Sequence, residues 1–250
     1  MMHADENTED TLEILCSEPK IQLKRYRMRR TQRLADMSLP GMEAMLILMQ
    51  GEVEVEGHPF RAGLKLSEKD ICYIPRDEEF EVKRIGNFSE LILAYAPGEK
   101  KYAHYVKRFA DTEPIRGGAP TYRRLIYNMV TEADQANRFL GGFVRGENGN
   151  WGGFPPHKHD GKPEVYVYYG MGRGFCLQAV MMAGKELVFV VRDGDSVYFN
   201  EGYHPCVASP GSGMNFLWII SADSASRNLA VDIHPDFRDM PVGETHLKIS

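Results

Sequence analysis

Four side chains in the second half of this 250-residue chain have the types and spacing of a metal site. His157 and His159 are two residues apart, Glu164 lies five residues further on, and His204 follows after another 40 residues. Because residues i and i+2 of an extended strand point to the same side, His157 and His159 can approach one ion. Three imidazoles and one carboxylate suit zinc, manganese or iron and leave open positions for substrate or water. The sequence therefore predicts one catalytic divalent metal per chain, with zinc as the first choice.

The alternative is that these histidines are ordinary residues of an exposed strand, where a lone His-x-His pair is common without a metal. Two further features favour the metal. Glu164 follows at a distance that a short turn can span, and a turn at Gly202 can return His204 to the histidine pair.

The elements that must position these residues are predicted to be β-strands. Short apolar and alternating runs recur along both halves of the chain, and Gly, Pro, Asp and Asn bound them. Only residues 102–109 favour a helix, and the Gly- and Pro-rich residues 111–121 favour a linker. We predict an all-β protein of two small antiparallel barrels, with domains at residues 1–113 and 114–250.

Composition and charge disfavour several classes of protein. With 30 basic and 35 acidic residues the formal charge is −5, which disfavours a nucleic-acid partner. The basic side chains between residues 20 and 33 alternate with apolar ones, which indicates a half-buried strand. No apolar run approaches the roughly 20 residues that cross a bilayer, so we expect no membrane partner. Residues 1–6 are acidic and polar, unlike a secretory signal, so we expect a cytoplasmic location.

The two halves of the chain resemble each other. Asp70-x-x-Tyr73 and Asp195-x-x-Tyr198 are 125 residues apart, which is half the chain length and suggests an internal duplication. In this alignment His204 corresponds to Glu79, and no His-x-His pair precedes Glu79. The first barrel is therefore predicted to be a degenerate copy without the metal site.

Several motifs around the metal site are similar to those of one family. They are Trp151-x3-Pro-Pro-His-Lys-His-Asp, Glu164-Val-Tyr-Val-Tyr-Tyr, the VRDGD run at residues 191–195, Gly202-Tyr-His-Pro and, before them, Tyr122-Arg-Arg. The His-x-His-x4-Glu…His spacing resembles the cupin superfamily of small antiparallel barrels. Together the motifs closely resemble the 5-deoxy-glucuronate isomerase family over roughly residues 115–237. The resemblance implies a duplicated cupin, or bicupin.

The resemblance also implies an activity. It is a metal-dependent ketol isomerisation that converts 5-deoxy-glucuronate to 5-dehydro-2-deoxy-gluconate in inositol catabolism. The metal polarises the carbonyl, an acid/base group moves a proton between C1 and C2, and a cation holds the distal carboxylate. By the motif match Arg123 is expected to be that cation, unless it is a surface charge on a strand. Its neighbour Arg124 should then face the other way.

Candidates for proton transfer lie close to the motifs. They are Lys162, Tyr168, Gln178 and Tyr203. Tyr166 and Tyr168 share one strand face and equally suit the barrel core, while Lys162 equally suits a solvated turn.

Other functions remain open. Only four residues separate His159 from Glu164, which is similar to the related 5-keto-4-deoxyuronate isomerase of pectin and uronate catabolism. A metal-bound bicupin could also bind a sugar acid without turning it over, and the same ligand set serves iron dioxygenases. The family resemblance further implies a homo-oligomer, for which the apolar face of residues 21–28 is a candidate contact.

Overall fold

Nearly all regular structure in this protein is extended strand. The computed structural model describes residues 9–60 and 62–244. Within them, helical structure is limited to 3₁₀ turns at His58–Phe60, Phe109–Asp111, Ser224–Ser226 and Pro235–Phe237. In the same residues, no helix has the length and apolar character needed to span a membrane. The predicted all-β class is confirmed.

The chain divides into two compact units. The first unit runs to Asp111 and includes Gln135–Asn137, and the second contains Thr112–Asp134 and the chain from Arg138 onward. The interpretation of the first unit as a degenerate cupin and of the second as the metal-binding one stays a prediction at this point.

The first unit is built on one antiparallel sheet. Its strands are β1 (Thr11–Glu18), β2 (Ile21–Met28), β3 (Arg33–Leu34), β4 (Met42–Gly57), β5 (Leu64–Leu66), β6 (Ile71–Ile74), β7 (Phe80–Pro97) and β8 (Tyr105–Lys107). Their order is β1-β2-β7-β4-β6-β8, with β3 beside β7 and β5 beside β4. The long β4–β7 pair shifts register between Leu48 and Gln50 and again between Gly51 and Glu52. Such bulges bend both strands, so one long pair can wrap around an apolar core.

The second unit contains two facing sheets. Its strands are β9 (Ile115–Gly117), β10 (Arg124–Val130), β11 (Phe139–Gly146), β12 (Trp151–Gly152), β13 (His157–Lys158), β14 (Glu164–Tyr168), β15 (Cys176–Met182), β16 (Lys185–Val191), β17 (Ser196–Phe199), β18 (Cys206–Ala208), β19 (Asn215–Ser221) and β20 (Asp232–Ile233). One sheet has the order β17-β14-β19-β11-β10-β9, the other has the order β12-β18-β15-β16, and β13 pairs with β20. A single core cluster contains residues of both larger sheets, including Tyr166 and Phe216 from one and Cys176 and Cys206 from the other. The apolar side chains between the sheets therefore fix the strand ends that carry the candidate site.

Three expectations about connecting and contact segments differ from the structure. Residues 102–109 contain β8 rather than a helix, because β8 pairs with β6 and completes the edge of the first sheet. The predicted linker at residues 111–121 contains the boundary between the units, after Asp111, but it also contains β9, which pairs with β10 in the second unit. The face of residues 21–28 is not an open contact, since β2 lies between β1 and β7 with Ile21 and Leu23 fully buried.

The two units share one local structure at the positions that suggested a duplication. The carboxylate of Asp70 accepts a hydrogen bond from the amide of Ser67, and that of Asp195 accepts one from Arg192, also three residues earlier. The Asp70 carbonyl then accepts from the amide of Leu48, as the Asp195 carbonyl accepts from Tyr168. The same turn thus precedes β6 and β17 and joins each of them to its neighbouring strand.

A buried carboxylate holds the first unit together at residues 135–137. Glu43 on β4 is fully buried, and its Oε2 accepts hydrogen bonds from Tyr73 Oη at 2.7 Å, Asn137 N at 2.8 Å and Asn137 Nδ2 at 2.9 Å. Burial and the neighbouring Glu43 carboxylate raise the pKa of Tyr73, so the phenol keeps the proton that it donates.

We expect Glu43→Ala to lower the free energy of unfolding by about 3 kcal/mol, because charged hydrogen bonds are lost and buried donors are left without an acceptor. Urea unfolding followed by circular dichroism measures this change. Glu79→Ala, at an exposed position before β7, is the matched control and should change stability by less than about 0.5 kcal/mol. Equal effects of the two substitutions would contradict the role assigned to Glu43.

Candidate metal centre

The predicted ligands lie at the ends of short strands in the second unit. His157 is the first residue of β13, His159 directly follows β13, and Glu164 is the first residue of β14. His204 lies two residues before β18, and its amide donates to the carbonyl of His157 at 3.2 Å. This backbone hydrogen bond brings His204 beside the histidine pair across 47 residues of sequence.

The four side chains converge on one point. One ring nitrogen from each of His157, His159 and His204 lies within 4.8 Å of the others. Oε2 of Glu164 is 3.1 Å from Nε2 of His204 and 3.5 Å from Nε2 of His159. The arrangement provides three imidazoles and one carboxylate oxygen around a common centre.

Backbone carbonyls orient two of the imidazoles. Nδ1 of His157 lies 3.0 Å from the carbonyl of Pro155, and Nδ1 of His204 lies 3.0 Å from that of Gly202. A carbonyl accepts only from a protonated nitrogen, so these contacts place the ring proton on Nδ1 and leave the Nε2 lone pair free for a metal. Gly202 has φ +87°, and an added Cβ would lie 3.0 Å from the Met181 carbonyl, so the turn before His204 requires glycine.

Three atoms of the cluster lack hydrogen-bond partners. His159 Nδ1, Glu164 Oε2 and His204 Nε2 are buried and make no hydrogen bond of acceptable geometry with the described residues. Burial lowers the pKa of His157 to about 3, lowers that of His159 well below its ordinary value, and raises that of Glu164. Neutral imidazoles around a buried, unpaired carboxylate oxygen are the donors that a divalent cation requires. The residues therefore fit a metal ion.

A cavity of about 370 Å³ opens beside the cluster. His157, His159 and Glu164 line one part of its wall. The rest is mainly apolar, with Ile126, Val144, Phe216, Trp218, Ile220, Leu229 and Val231 among the lining side chains. A small molecule in this cavity would contact the metal centre and, over most of its remaining surface, groups that cannot form hydrogen bonds.

Comparison with known proteins identifies the family. A model of the KduI/IolB family matches residues 8–240. The chain belongs to the KduI/IolB family. Relatives named 5-deoxy-glucuronate isomerase occur in Geobacillus thermodenitrificans strain NG80-2, at 30% identity, and in Geobacillus kaustophilus strain HTA426, at 31%. Each alignment covers 68% of this chain and 68% of the relative. The family resemblance predicted from the motifs is confirmed.

Solved structures confirm the predicted bicupin fold of this KduI/IolB protein. A crystal structure of an IolB-like protein from Salmonella typhimurium LT2 matches with a TM-score of 0.76 at 19% identity, covering 88% of this chain and 89% of that one. A Bacillus subtilis oxalate decarboxylase, described with Mn(II) centres, matches with a TM-score of 0.62 at 13% identity, covering 82% of this chain and 70% of that one. The histidine cluster and such cupin neighbours suggest a divalent metal and do not identify it.

The structure of this KduI/IolB protein reverses the expected orientation of the two arginines. Arg124 is 5% exposed and lines the cavity that contains His157, His159 and Glu164, whereas Arg123 is exposed and does not line it. β10 begins at Arg124, and neighbouring residues of a strand point to opposite faces. The expectation that the two arginines diverge is met, but Arg123 is the one that points away from the cluster.

Most N–H donors of the Arg124 guanidinium are available to a ligand. Its Nη1 donates to the Tyr122 carbonyl at 3.2 Å, and a guanidinium carries five N–H groups. Burial lowers the pKa of Arg124, but arginine remains charged at any ordinary pH. The cavity wall therefore contains one buried cation that can bind an anionic group.

Lys162 does not line the cavity. Its ammonium donates to Asn228 Oδ1 at 2.8 Å and to the carbonyls of Asn228 at 3.0 Å and Ala230 at 3.4 Å. These bonds tie the turn before Glu164 to residues 228–230, and two residues of that region, Leu229 and Val231, line the cavity. Lys162 therefore positions the turn before Glu164 and does not contact the cavity.

Tyr168 and Gln178 lie inside the barrel behind the metal centre. The Tyr168 hydroxyl donates to Gln178 Oε1, and Gln178 Nε2 donates to the carbonyls of His204 at 3.0 Å and Pro205 at 3.1 Å. Gln178 is fully buried and holds the backbone of a candidate ligand. Tyr203 does not line the cavity, and its hydroxyl lies 3.3 Å from Asp232 Oδ2.

Most residues of the cavity wall were not predicted from the sequence. They come from β10, β11, β19 and the segment before β20, which are far from the histidine motif in sequence. Their only local signal is the alternation of apolar residues within each strand. That signal is the same for a cavity wall as for a filled core.

Proposed function

We propose that this protein is a metal-dependent isomerase that converts 5-deoxy-glucuronate to 5-dehydro-2-deoxy-gluconate in inositol catabolism. The observation that carries the proposal is the convergence of three imidazoles and one carboxylate on one point, beside a cavity that a buried guanidinium also lines. The names of the Geobacillus relatives support this reaction over other uses of the same fold.

In this proposal His157, His159, Glu164 and His204 hold one divalent cation per chain. Zinc is the first choice, because imidazole nitrogens are borderline donors and zinc also accepts a carboxylate oxygen, while manganese and iron accept the same set. When bound, the cation supplies Lewis-acid polarisation of a substrate carbonyl.

Arg124 replaces Arg123 as the residue proposed to hold the substrate carboxylate. A guanidinium binds a carboxylate through two parallel hydrogen bonds, and burial of Arg124 excludes the water that would compete with them. With the carboxylate held at Arg124, the carbonyl end of the sugar acid can point towards the histidines.

The apolar wall suits a deoxygenated sugar. A CH₂ group needs no hydrogen-bond partner, whereas a hydroxyl against Trp218 or Ile220 would lose its water without gaining an acceptor. The cavity should therefore favour a deoxy-uronate over glucuronate itself.

The direct test follows isomerisation by ¹H NMR after loading the purified protein with zinc, manganese or iron in parallel. Turnover of 5-deoxy-glucuronate, with slower turnover of 5-keto-4-deoxyuronate and of glucuronate, is the expected result. Faster turnover of 5-keto-4-deoxyuronate would instead support the second candidate reaction, which the four-residue spacing before Glu164 favours. Stoichiometric metal without turnover of any of the three would leave a sugar-acid-binding protein and overturn the proposal.

Gln178 offers a test of how the metal centre is positioned. We expect Gln178→Leu to weaken metal binding about 10- to 100-fold, because the His204 carbonyl loses its side-chain donor and the His204 backbone is free to shift, while the Pro205 carbonyl keeps the amide of Ala179. Competition with a chromogenic chelator measures the affinity. Tyr203→Phe, which removes only the 3.3 Å contact to Asp232, should change the affinity less than about twofold. A larger effect of Tyr203→Phe than of Gln178→Leu would reverse the assignment.

A further inference from the structure

The outer edge of the second unit is unusually apolar. β16 is the last strand of the β12-β18-β15-β16 sheet and has no partner on its outer side among the described residues. Val188, Phe189 and Val190 on this strand are 64%, 41% and 59% exposed. Natural proteins usually protect such an edge with proline, a bulge or inward charges. β16 contains no proline, and its seven residues pair with β15 without a register shift.

The backbone of β16 also has N–H and C=O groups that point to the open edge of the sheet. The amides of Ala179 and Met181 on β15 donate away from β16, to the carbonyls of Pro205 and Tyr203. The backbone N–H and C=O groups of even-numbered β15 residues therefore point towards β16. Gln178 is opposite Phe189, so the backbone groups of Phe189 point back towards β15. It follows that Val188 and Val190 direct their own N–H and C=O groups towards the open edge.

An apolar row leads across the sheet to this edge. Trp151 pairs with Val207, Val207 with Leu177, and Leu177 with Val190, so these four side chains lie side by side on the outer face. Trp151 and Leu177 are each 39% exposed. A partner strand beside β16 would extend this row and cover its open end.

We propose that β16 pairs antiparallel with β16 of a second copy of the chain, about a two-fold axis through Phe189. In this register Val188 lies opposite the partner's Val190, and Phe189 lies opposite the partner's Phe189. Val188 and Val190 then exchange the hydrogen bonds that their backbones leave open. The two four-stranded sheets become one continuous sheet.

Charge complementarity selects this occupant and this register. The same pairing places Glu186 opposite the partner's Arg192, the residue directly after β16, and the two-fold axis repeats this pair. A shift to an axis through Val188 would place Glu186 opposite the partner's Val190 and lose both copies of the Glu186–Arg192 pair. Because the strand's charges match its own reversed sequence, a second copy fits the edge better than an unrelated strand.

The other edge of the protein that bears exposed apolar residues is a weaker candidate. β1 exposes Leu12 and Ile14, but its pairing with β2 shifts register between Ile14 and Cys16. Pairing of Leu12 with the Ile14 of a second copy would place Glu13 opposite the partner's Glu13. Like charges directly opposite each other destabilise a sheet.

A disulfide test addresses the geometry. The native cysteines are all buried, so an introduced thiol on β16 is the one open to oxidation among the described residues. Phe189→Cys should form a disulfide-linked dimer under mild oxidation, because opposed residues of a non-hydrogen-bonded pair have Cβ atoms about 4.5–5.5 Å apart. Val188→Cys, whose equivalent in the partner is not directly opposite, is the matched control. Cross-linking through Val188→Cys and not through Phe189→Cys would overturn the register.

Sedimentation equilibrium addresses the assembly itself. The full chain should be a dimer at micromolar concentration, and Val188→Lys/Val190→Lys should make it a monomer with unchanged circular dichroism and metal content. Leu12→Lys/Ile14→Lys, which places the same charges on the β1 edge, should leave the dimer intact. A monomeric wild type, or a dimer that dissociates with the β1 variant alone, would refute the proposal.

A charge exchange tests the pairing in solution. Glu186→Lys alone and Arg192→Glu alone should each weaken dimerisation about 10-fold, because two like-charge contacts arise per dimer. Glu186→Lys/Arg192→Glu together should restore affinity to within about twofold of wild type. Additive loss in the double variant would exclude this register.

Discussion

Replacement of His204 by alanine is expected to eliminate stoichiometric metal binding and to lower kcat/KM for 5-deoxy-glucuronate by at least about 1,000-fold. His204 has no substitute among the described residues, because the cluster contains only three imidazoles and the Gly202 carbonyl fixes the orientation of this one. Its loss also leaves Glu164 Oε2 without its nearest nitrogen, which lies 3.1 Å away in the intact protein. The fall in metal affinity and the fall in turnover therefore have a single cause.

His234 provides the control for this experiment. It lies in the same unit, its ring stacks edge-on against Tyr203 at 4.7 Å, and its Nδ1 accepts from the amide of Asp236. It is not part of the cluster, so His234→Ala should keep full metal content and turnover within about twofold. Elemental analysis and the NMR assay on the two variants together decide the question. A His204→Ala protein that retains both metal and activity would falsify the ligand assignment.

The ligand set could be predicted from the sequence because two of its members are neighbours on a strand. The period of two residues brings His157 and His159 to one side without knowledge of the rest of the fold. Glu164 and His204 join them through short turns, and the one before His204 depends on Gly202, whose φ of +87° is accessible to glycine at little cost. Local rules therefore suffice for this part of the site.

The choice between Arg123 and Arg124 required tertiary structure. Alternation predicts that the two side chains diverge, but it does not say which face of β10 meets the core. The pairing of β10 with β9 and β11 decides that question, and those strands are separated from the histidine motif by many residues. The cavity wall and the hydrogen bond from Gln178 to the His204 carbonyl also required tertiary structure, because each of them brings together residues that are distant in sequence.

The duplication is visible in sequence only where backbone geometry limits side-chain choice. Asp70 and Asp195 are equivalent because each carboxylate accepts the amide hydrogen bond that closes its turn. The metal-site residues do not close such a turn, and in the alignment through the two aspartates Glu79 is at the position of His204. In the described residues the three-histidine cluster occurs only in the second unit, which supports the proposal that the first cupin is degenerate.

Substitution of Arg124 should have the second-largest effect on activity. We expect Arg124→Ala to lower kcat/KM for 5-deoxy-glucuronate about 100- to 1,000-fold while leaving metal content unchanged, because a desolvated pair of charged hydrogen bonds to the substrate is lost. Arg123→Ala removes the same side chain one residue away, on the exposed face, and should change kcat/KM by less than about twofold. The neighbouring pair controls for charge, size and chain position at once.

A neutral substrate analogue separates carboxylate binding from a structural effect of Arg124. 5-Deoxy-glucose has no carboxylate, so wild type and Arg124→Ala should turn it over at similar low rates, and the preference for the acid should disappear in the variant. Arg124→Lys should recover part of that preference, since an ammonium keeps the charge but not the two parallel donors. If Arg124→Ala instead slowed the acid and the neutral sugar equally, its guanidinium would be shaping the cavity rather than binding the carboxylate. A large loss of kcat/KM in Arg123→Ala would assign carboxylate binding to Arg123, on the exposed face and away from the metal centre.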